Sequence, residues 1–357
     1  MTAHILIVED DEDYIAELKR IIAEAGGPTI PTFVTNRDEA VAKLEGGFFD
    51  FAILDLKIPT AAGTTDFDPE HGKYVFHHVR KVTPGTKILV LTGSPSDDFI
   101  APLLAQKHDA DIWSEGAKVD TVEFLKKIEI DQAPEKISRV VSAIHASSDI
   151  ELQTNGLNLS TGEDRLVRIF AKHFKSFTCS VHPIGAGKSG ARPLRLQMFD
   201  QTGALIREVV AKLGELPKMQ DEDARYDEHV VLLDGAATPR KMKLLEFGAG
   251  AMAGLFYQLA SGHDASMFKT MAEEDALAAK AVAATADALA GWSNGRNQER
   301  RSILDPRAMG VGRMGRQTSC GLWDHLGNRV REPPDTDALV LRAWRPTRRE
   351  YPRVARR

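Results

Sequence analysis

The stretch Ile5-Leu6-Ile7-Val8-Glu9-Asp10-Asp11-Glu12-Asp13-Tyr14 decides how the first part of the chain folds. Four apolar residues end abruptly in acids, and a helical stripe follows through Tyr14, Leu18, Ile21, Ile22 and Ala25. A short apolar run closed by charge reads as a buried strand whose carboxylates sit at the sheet edge. Adjacent like charges are unfavourable unless a cation or a proton neutralises them. The opening of the chain therefore predicts a metal site.

Further along, Phe51-Ala52-Ile53-Leu54-Asp55 and Thr86-Lys87-Ile88-Leu89-Val90-Leu91-Thr92-Gly93 read as two more buried strands, each ending in a polar side chain. Helical patterns separate the strands, and Ala110-Asp111-Ile112-Trp113 reads as the last strand, before a helix through Val122, Leu125 and Ile128. Strand–helix alternation predicts an α/β fold, a doubly wound five-stranded parallel sheet. Sites in such sheets lie outside the carboxyl ends of the strands. Glu9 and Asp10 on one strand end and Asp55 on another would converge on a hard cation, for which Mg²⁺ is the best candidate. A metal-held carboxylate such as Asp55 can attack a phosphoryl group, and a hydroxyl such as Thr92 can bond a phosphoryl oxygen.

The blocks "ILIVEDDEDY", "FAILDLKIP" and "KILVLTG" resemble, in order and spacing, the receiver domain of two-component response regulators over residues 4 to 130. That resemblance implies that Asp55 is the phosphoacceptor and that Glu9 and Asp10 are the acidic pair. It implies that Asp10, Asp55 and the Lys57 backbone carbonyl hold Mg²⁺ and that Thr92 is the switch hydroxyl. Asp11 is left as a helix N-cap. The family places a lysine after its fifth strand. Counting back from Phe124-Leu125 puts Lys118 there, and counting forward from Ala110-Asp111 puts Gly116 there. Lys118 is favoured because an ammonium suits a phosphoryl anion. Trp113 stands as a shifted counterpart of the family's aromatic switch residue. Thr60 to His71 form an insertion before Gly72, expected to be an exposed acidic loop bordering Asp55.

Residues 131 to 161 read as a helical connector and linker, and residues 162 to 292 as a second domain. Around Gly185, Gly187 and Gly190 a Gly-rich turn lies between two strand patterns, which describes a hairpin and not a P-loop. Lys212 stands in the apolar run Val209–Leu213 and needs a partner. Glu222 on the following helix offers one, with Glu228 as the alternative. Gly-rich hairpin, strand Lys and helix Glu follow the order of kinase N-lobes. This part is similar to the aminoglycoside-phosphotransferase branch, closest to kinase-like "ternary complex associated" domains. The resemblance implies an α+β kinase-like N-lobe that could bind ATP or another nucleotide. The His-Gly-Asp catalytic loop that it also predicts is absent, so phosphotransfer by this part is not expected. Phe247–Tyr257 would be a hinge and the start of a helix.

Composition sets the remaining bounds. At 43% hydrophobic and 27% charged residues, the chain suits a globular protein with about two domains. Two cysteines, Cys179 and Cys320, exclude a disulfide framework and suit the cytoplasm, and no apolar run is long enough for a membrane helix. Residues 293 to 357 carry fifteen Arg, no Lys and seven acids. That net +8, against −5 for the whole chain, leaves −13 on the main body and disfavours nucleic-acid binding there. The Arg-rich tail is expected to be irregular, and there is no recognisable DNA-binding module. The expected function is a response regulator, phosphorylated on Asp55 with Mg²⁺ by a sensor histidine kinase or phosphotransfer protein. It would relay the signal through a kinase-like effector that binds a nucleotide or a partner protein, with homodimerisation through the receiver. The alternatives are a receiver-regulated phosphotransferase lacking its catalytic parts, and a phosphorylation-independent interaction scaffold.

Overall fold

The computed structural model describes residues 1–93, 97–184, 191–232 and 238–259, together with a few helical positions between 279 and 287. The Gly-rich turn, most of the Ala-rich run 272–290 and the Arg-rich tail lie outside these residues.

The chain alternates β1 (Ala3–Val8), α1 (Glu12–Ala23), β2 (Thr29–Val34), α2 (Arg37–Gly46), β3 (Phe51–Asp55), α3 (Pro69–Val82), β4 (Lys87–Thr92) and α4 (Asp97–Leu104). A two-stranded hairpin of β5 (Asp109–Ala110) and β6 (Val119–Asp120) follows, then β7 (Val122–Lys126) and α5 (Ala133–Ala146). Strands β2-β1-β3-β4-β7 form one parallel five-stranded sheet. Both faces of its inner strands are buried, and their side chains alternate between two cores. Ile5 and Ile7 face α1 and α5, whereas Leu6 and Val8 face α2 and α3.

The fifth strand differs from the sequence expectation. Ala110–Trp113 is not a strand of this sheet; it belongs to an insertion between α4 and β7 that carries Ile112 and Trp113 into the core. Val122 and Leu125, expected on a helix, are the buried apolar positions of β7, and Ile128 is 85% exposed beyond it. The helix of the expected connector is α5, which packs in the same core as α1 and β1.

The rest of the described chain builds a mixed sheet. β8 (Glu151–Gln153) runs parallel to β9 (Thr178–Pro183), and α6 (Thr161–His173) lies between them in sequence. β10 (Arg192–Phe199), β11 (Leu205–Glu215), α7 (Leu216–His229), β12 (Lys241–Leu245) and β13 (Met252–Gln258) complete it in the order β12-β13-β11-β10-β9-β8. The expected hairpin around the Gly-rich turn is present as the antiparallel β9–β10 pair. Met252–Gln258 is a buried inner strand rather than the start of a helix. A Ser160–Glu163 capping box starts α6, and Phe170 on that helix stacks on Phe256 of β13 at 3.7 Å between ring centres.

One core joins the two sheets: α1, α5, α6, Ile112, Trp113 and the inner face of the mixed sheet share it. A buried ion pair pins the junction. Arg165 of α6 donates to Asp50 through Nε (2.7 Å) and Nη2 (3.0 Å), and also to the Thr2 carbonyl at 2.7 Å. Gly85 exchanges backbone hydrogen bonds with Gly248 and Gly250, each 2.9 Å. These contacts engage the amino-terminal edge of the parallel sheet. Its carboxyl edge stays open for a site.

Candidate functional site

At the carboxyl edge, β1 delivers Glu9 and Asp10, β3 ends at Asp55, and β4 ends at Thr92. Glu9, Asp55 and Thr92 are buried, and Asp10 is half-buried. One carboxylate oxygen from each of Glu9, Asp10 and Asp55 lies within 4.8 Å of the others. Among the described residues this is the one such group of acids, histidines or cysteines fit to hold a metal. Thr92 stands one residue past Leu91, the register partner of Asp55. Asp11 caps α1, accepting from the amides of Asp13 (2.9 Å) and Tyr14 (3.3 Å). The Lys57 amide donates to Asp55 Oδ1 at 3.3 Å.

The lysine at the site is Lys127, the residue after β7. Its Nζ lies 2.7 Å from Glu9 Oε1 and 2.9 Å from Asp55 Oδ2, and it stands 4.4 Å from the centre of the Tyr14 ring. Lys118 does not take this role. It lies on the hairpin insertion, 67% exposed, with Nζ 3.7 Å from Asp109. Gly116 forms an exposed turn at φ +80°, its amide donating to Asp111 at 3.1 Å. Both expectations fail for one reason: the insertion displaced the fifth strand by about a dozen residues along the sequence. The signal that could have found Lys127 is the run Val122-Glu123-Phe124-Leu125-Lys126-Lys127, a second apolar strand closed by charge. Trp113 is likewise buried with the second sheet's core.

One ammonium faces three carboxyl groups, so the site carries excess negative charge. Burial, reinforced by the Asp55 charge, raises the Glu9 pKa to about 7 against the partial compensation of Lys127. Burial and Asp55 also raise Asp10. Burial alone would lower Lys127, but Asp55 and Glu9 outweigh it and hold its pKa above the ordinary value. Glu9 Oε2 is buried without a hydrogen-bond partner. A converging acid triad with an orphaned oxygen and surplus negative charge fits a divalent cation.

The insertion after Pro59 is exposed, as expected, and internally tied. Asp66 accepts from the hydroxyls of Thr60 and Thr64, each at 2.6 Å, and these bonds hold its pKa below the usual carboxylate range. Asp68 then caps α3 through the Glu70 amide at 2.8 Å.

In the mixed sheet Lys212 of β11 forms an ion pair with Glu222 of α7, and the Tyr257 hydroxyl donates to Glu222 at 3.1 Å. Burial and the adjacent Glu222 push the Tyr257 pKa up. Glu228, the alternative partner, lies beside His229 at 3.8 Å. Gly185, Gly187 and Gly190 lie outside the described residues.

No family model matches the chain. A response regulator receiver protein from Anaeromyxobacter sp. (strain Fw109-5) is 26% identical over 95 residues, 27% of this chain and 35% of that protein. The chain thus spans about a third of the length of the curated relative it matches. Among solved structures, a CheY-like receiver domain protein from Methanospirillum hungatei JF-1 is 23% identical, covering 39% of this chain and 97% of its own, at TM-score 0.28. A Burkholderia pseudomallei response regulator with a phosphorylated aspartic acid, calcium ion and citrate is 20% identical, covering 43% and 78%, at TM-score 0.27. These comparisons identify nothing in the C-terminal part and give the kinase-like reading no support. The N-terminal part of the chain, about 40% of it, is thus similar to CheY-like response regulator receiver domains, and its acidic cluster Glu9, Asp10 and Asp55 is consistent with a phosphoacceptor site.

Proposed function

We propose that the chain is a response regulator that accepts a phosphoryl group on Asp55 and passes the change to its mixed-sheet half. The single observation that carries this reading is Asp55 at the end of β3, bonded by Lys127 and flanked by Glu9 and Asp10. An Asp55 oxygen attacks phosphorus, the bond from phosphorus to the donor breaks, and an acyl phosphate results. Glu9, Asp10 and Asp55, with the Lys57 carbonyl, are the residues that would hold Mg²⁺. When bound, the cation offsets the charge that builds on the phosphoryl oxygens. Lys127 already pairs with the accepting carboxylate and supplies a second positive charge. The Thr92 hydroxyl is the group available to bond a phosphoryl oxygen from the neighbouring strand end. A receiver domain implies a histidine kinase as phosphodonor in general.

The product adds a charge of roughly −1.5 to −2 to a site already rich in acids. Thr92 and Lys127 flank that charge, and the chain between α4 and β7 runs from their strands into the core of the second half. The mixed sheet is the effector on this reading. Its kinase-like interpretation rests on the Lys212–Glu222 pair alone. Incubating the full chain with acetyl phosphate and Mg²⁺ is expected to give a phosphoprotein band that Asp55→Asn abolishes; a band that persists in that variant refutes the assignment.

A further inference from the structure

A cavity of about 640 Å³ opens between the two sheets, on the side away from the acid triad. Its walls come from the α3–β4 corner, the hairpin insertion, the start of α7 and the strand β12 with the residues after it. That volume suits a ligand of nucleotide size.

The charges around it are unevenly satisfied. Arg80, Lys81 and Lys243 line the cavity, and among the described residues none of them pairs with a carboxylate. Arg80 is half-buried, and among the described residues its one hydrogen bond, from Nη1 to the Pro84 carbonyl (2.9 Å), leaves most of the guanidinium's donors without a partner. Burial lowers its pKa with no carboxylate opposing. The acids on the same walls are already engaged. Asp111 accepts the amides of Glu115 (2.9 Å) and Gly116 (3.1 Å), Glu246 accepts from Gln220 (2.7 Å), and Asp109 faces Lys118 (3.7 Å). A half-buried guanidinium without a counter-ion is unfavourable, and an anion in the cavity removes that cost. Beside these cations, Phe247 and His108 form an aromatic wall, their rings 6.2 Å apart and tilted by 36°.

We propose that this cavity binds a phosphorylated small molecule of mononucleotide size, its phosphate on Arg80, Lys81 and Lys243 and its ring against Phe247. The ligand would touch the receiver through Arg80 and the second half through Lys243 and Phe247, so its binding ties the two together. The site needs no phosphorylation of Asp55, and Asp55→Asn is expected to leave it intact.

Calorimetric titration of the full chain tests this with AMP, inorganic phosphate and adenosine. AMP is expected to bind, phosphate to bind more weakly and adenosine not measurably. Arg80→Met and Lys243→Met should each weaken AMP binding at least tenfold, while Lys43→Met, on the exposed face of α2 outside the cavity, leaves it unchanged. Thermal unfolding of each variant reports whether the fold is kept, and Lys243, on an edge strand, is the safer of the two. Absence of binding by both AMP and phosphate overturns the proposal. So does adenosine binding as tightly as AMP, or AMP binding that survives both substitutions.

Discussion

Glu9 is the residue at which the chemistry of the acid triad is most exposed to test. Its carboxyl titrates near 7 in the fold because burial and then Asp55 disfavour the anion, against 4.5 ordinarily. Between those values the folded chain holds a proton that the unfolded chain has released. Stability therefore falls as pH rises through that window, by on the order of 3 kcal/mol in the absence of divalent cations. Urea unfolding at about pH 5 and about pH 8 is expected to show this loss, Mg²⁺ to reverse it at the higher pH, and Glu9→Gln to flatten it. Lys127 gives the complementary prediction. Its ammonium occupies the space between Glu9 and Asp55 and repels an incoming cation. Lys127→Met should tighten Mg²⁺ binding by roughly tenfold, about 1.4 kcal/mol, while slowing phosphoryl transfer. Lys118→Met, on the exposed hairpin, should change neither. Titration of the three proteins with Mg²⁺ separates the two lysines.

Among the elements, α3 sets how closely a helix can approach β3, the strand that ends at Asp55. Gly72 lies on Asp55 and Leu56 so tightly that a Cβ there would stand 2.3 Å from Leu56 Cα and 2.4 Å from the Asp55 carbonyl oxygen. Backbone atoms cannot step aside as a side chain can. Gly72→Ala is expected to destabilise the fold by about 1–3 kcal/mol, read from the urea midpoint, because α3 must lift off β3. The elements also show what the sequence could and could not reveal. β1, β3 and β4 were legible because continuous apolar runs ending in polar residues have few other readings. β7 was not, since Val122, Leu125 and Ile128 recur at a helical spacing and the run is too short to decide. Ala110–Trp113 looked like a strand because Ile112 and Trp113 are core residues, but of a core shared with α6. No local pattern announces such long-range docking. Lys212 and Glu222 were legible because a lysine inside an apolar strand demands a nearby acid.

At the scale of the whole molecule, the two sheets meet at the edge of the parallel sheet opposite Asp55. The parallel-sheet half contributes the turns before β3 and β4 and the hairpin insertion to that junction, and Arg165 ties α6 to Asp50. Arg165→Met would leave Asp50 buried with its charge unmatched, at a cost of about 3–5 kcal/mol. The loss should appear in urea unfolding and as faster amide exchange on both sides of the junction, in β3 and in α6. Substituting Asp50→Asn in the same protein should recover part of it. The insertion between α4 and β7 carries Ile112 and Trp113 to the second core and pairs Glu115 with Lys172, so on the proposed reading it is the segment through which a change at the Asp55 site reaches this junction. Everything downstream rests on where the phosphoryl group sits. Borohydride reduces an acyl phosphate to the alcohol, so trapping the full chain after acetyl phosphate and Mg²⁺ converts the modified aspartate to homoserine. Peptide mapping is predicted to find homoserine at position 55; a reduced residue at position 9 or 10 instead, or none at all, would contradict the account.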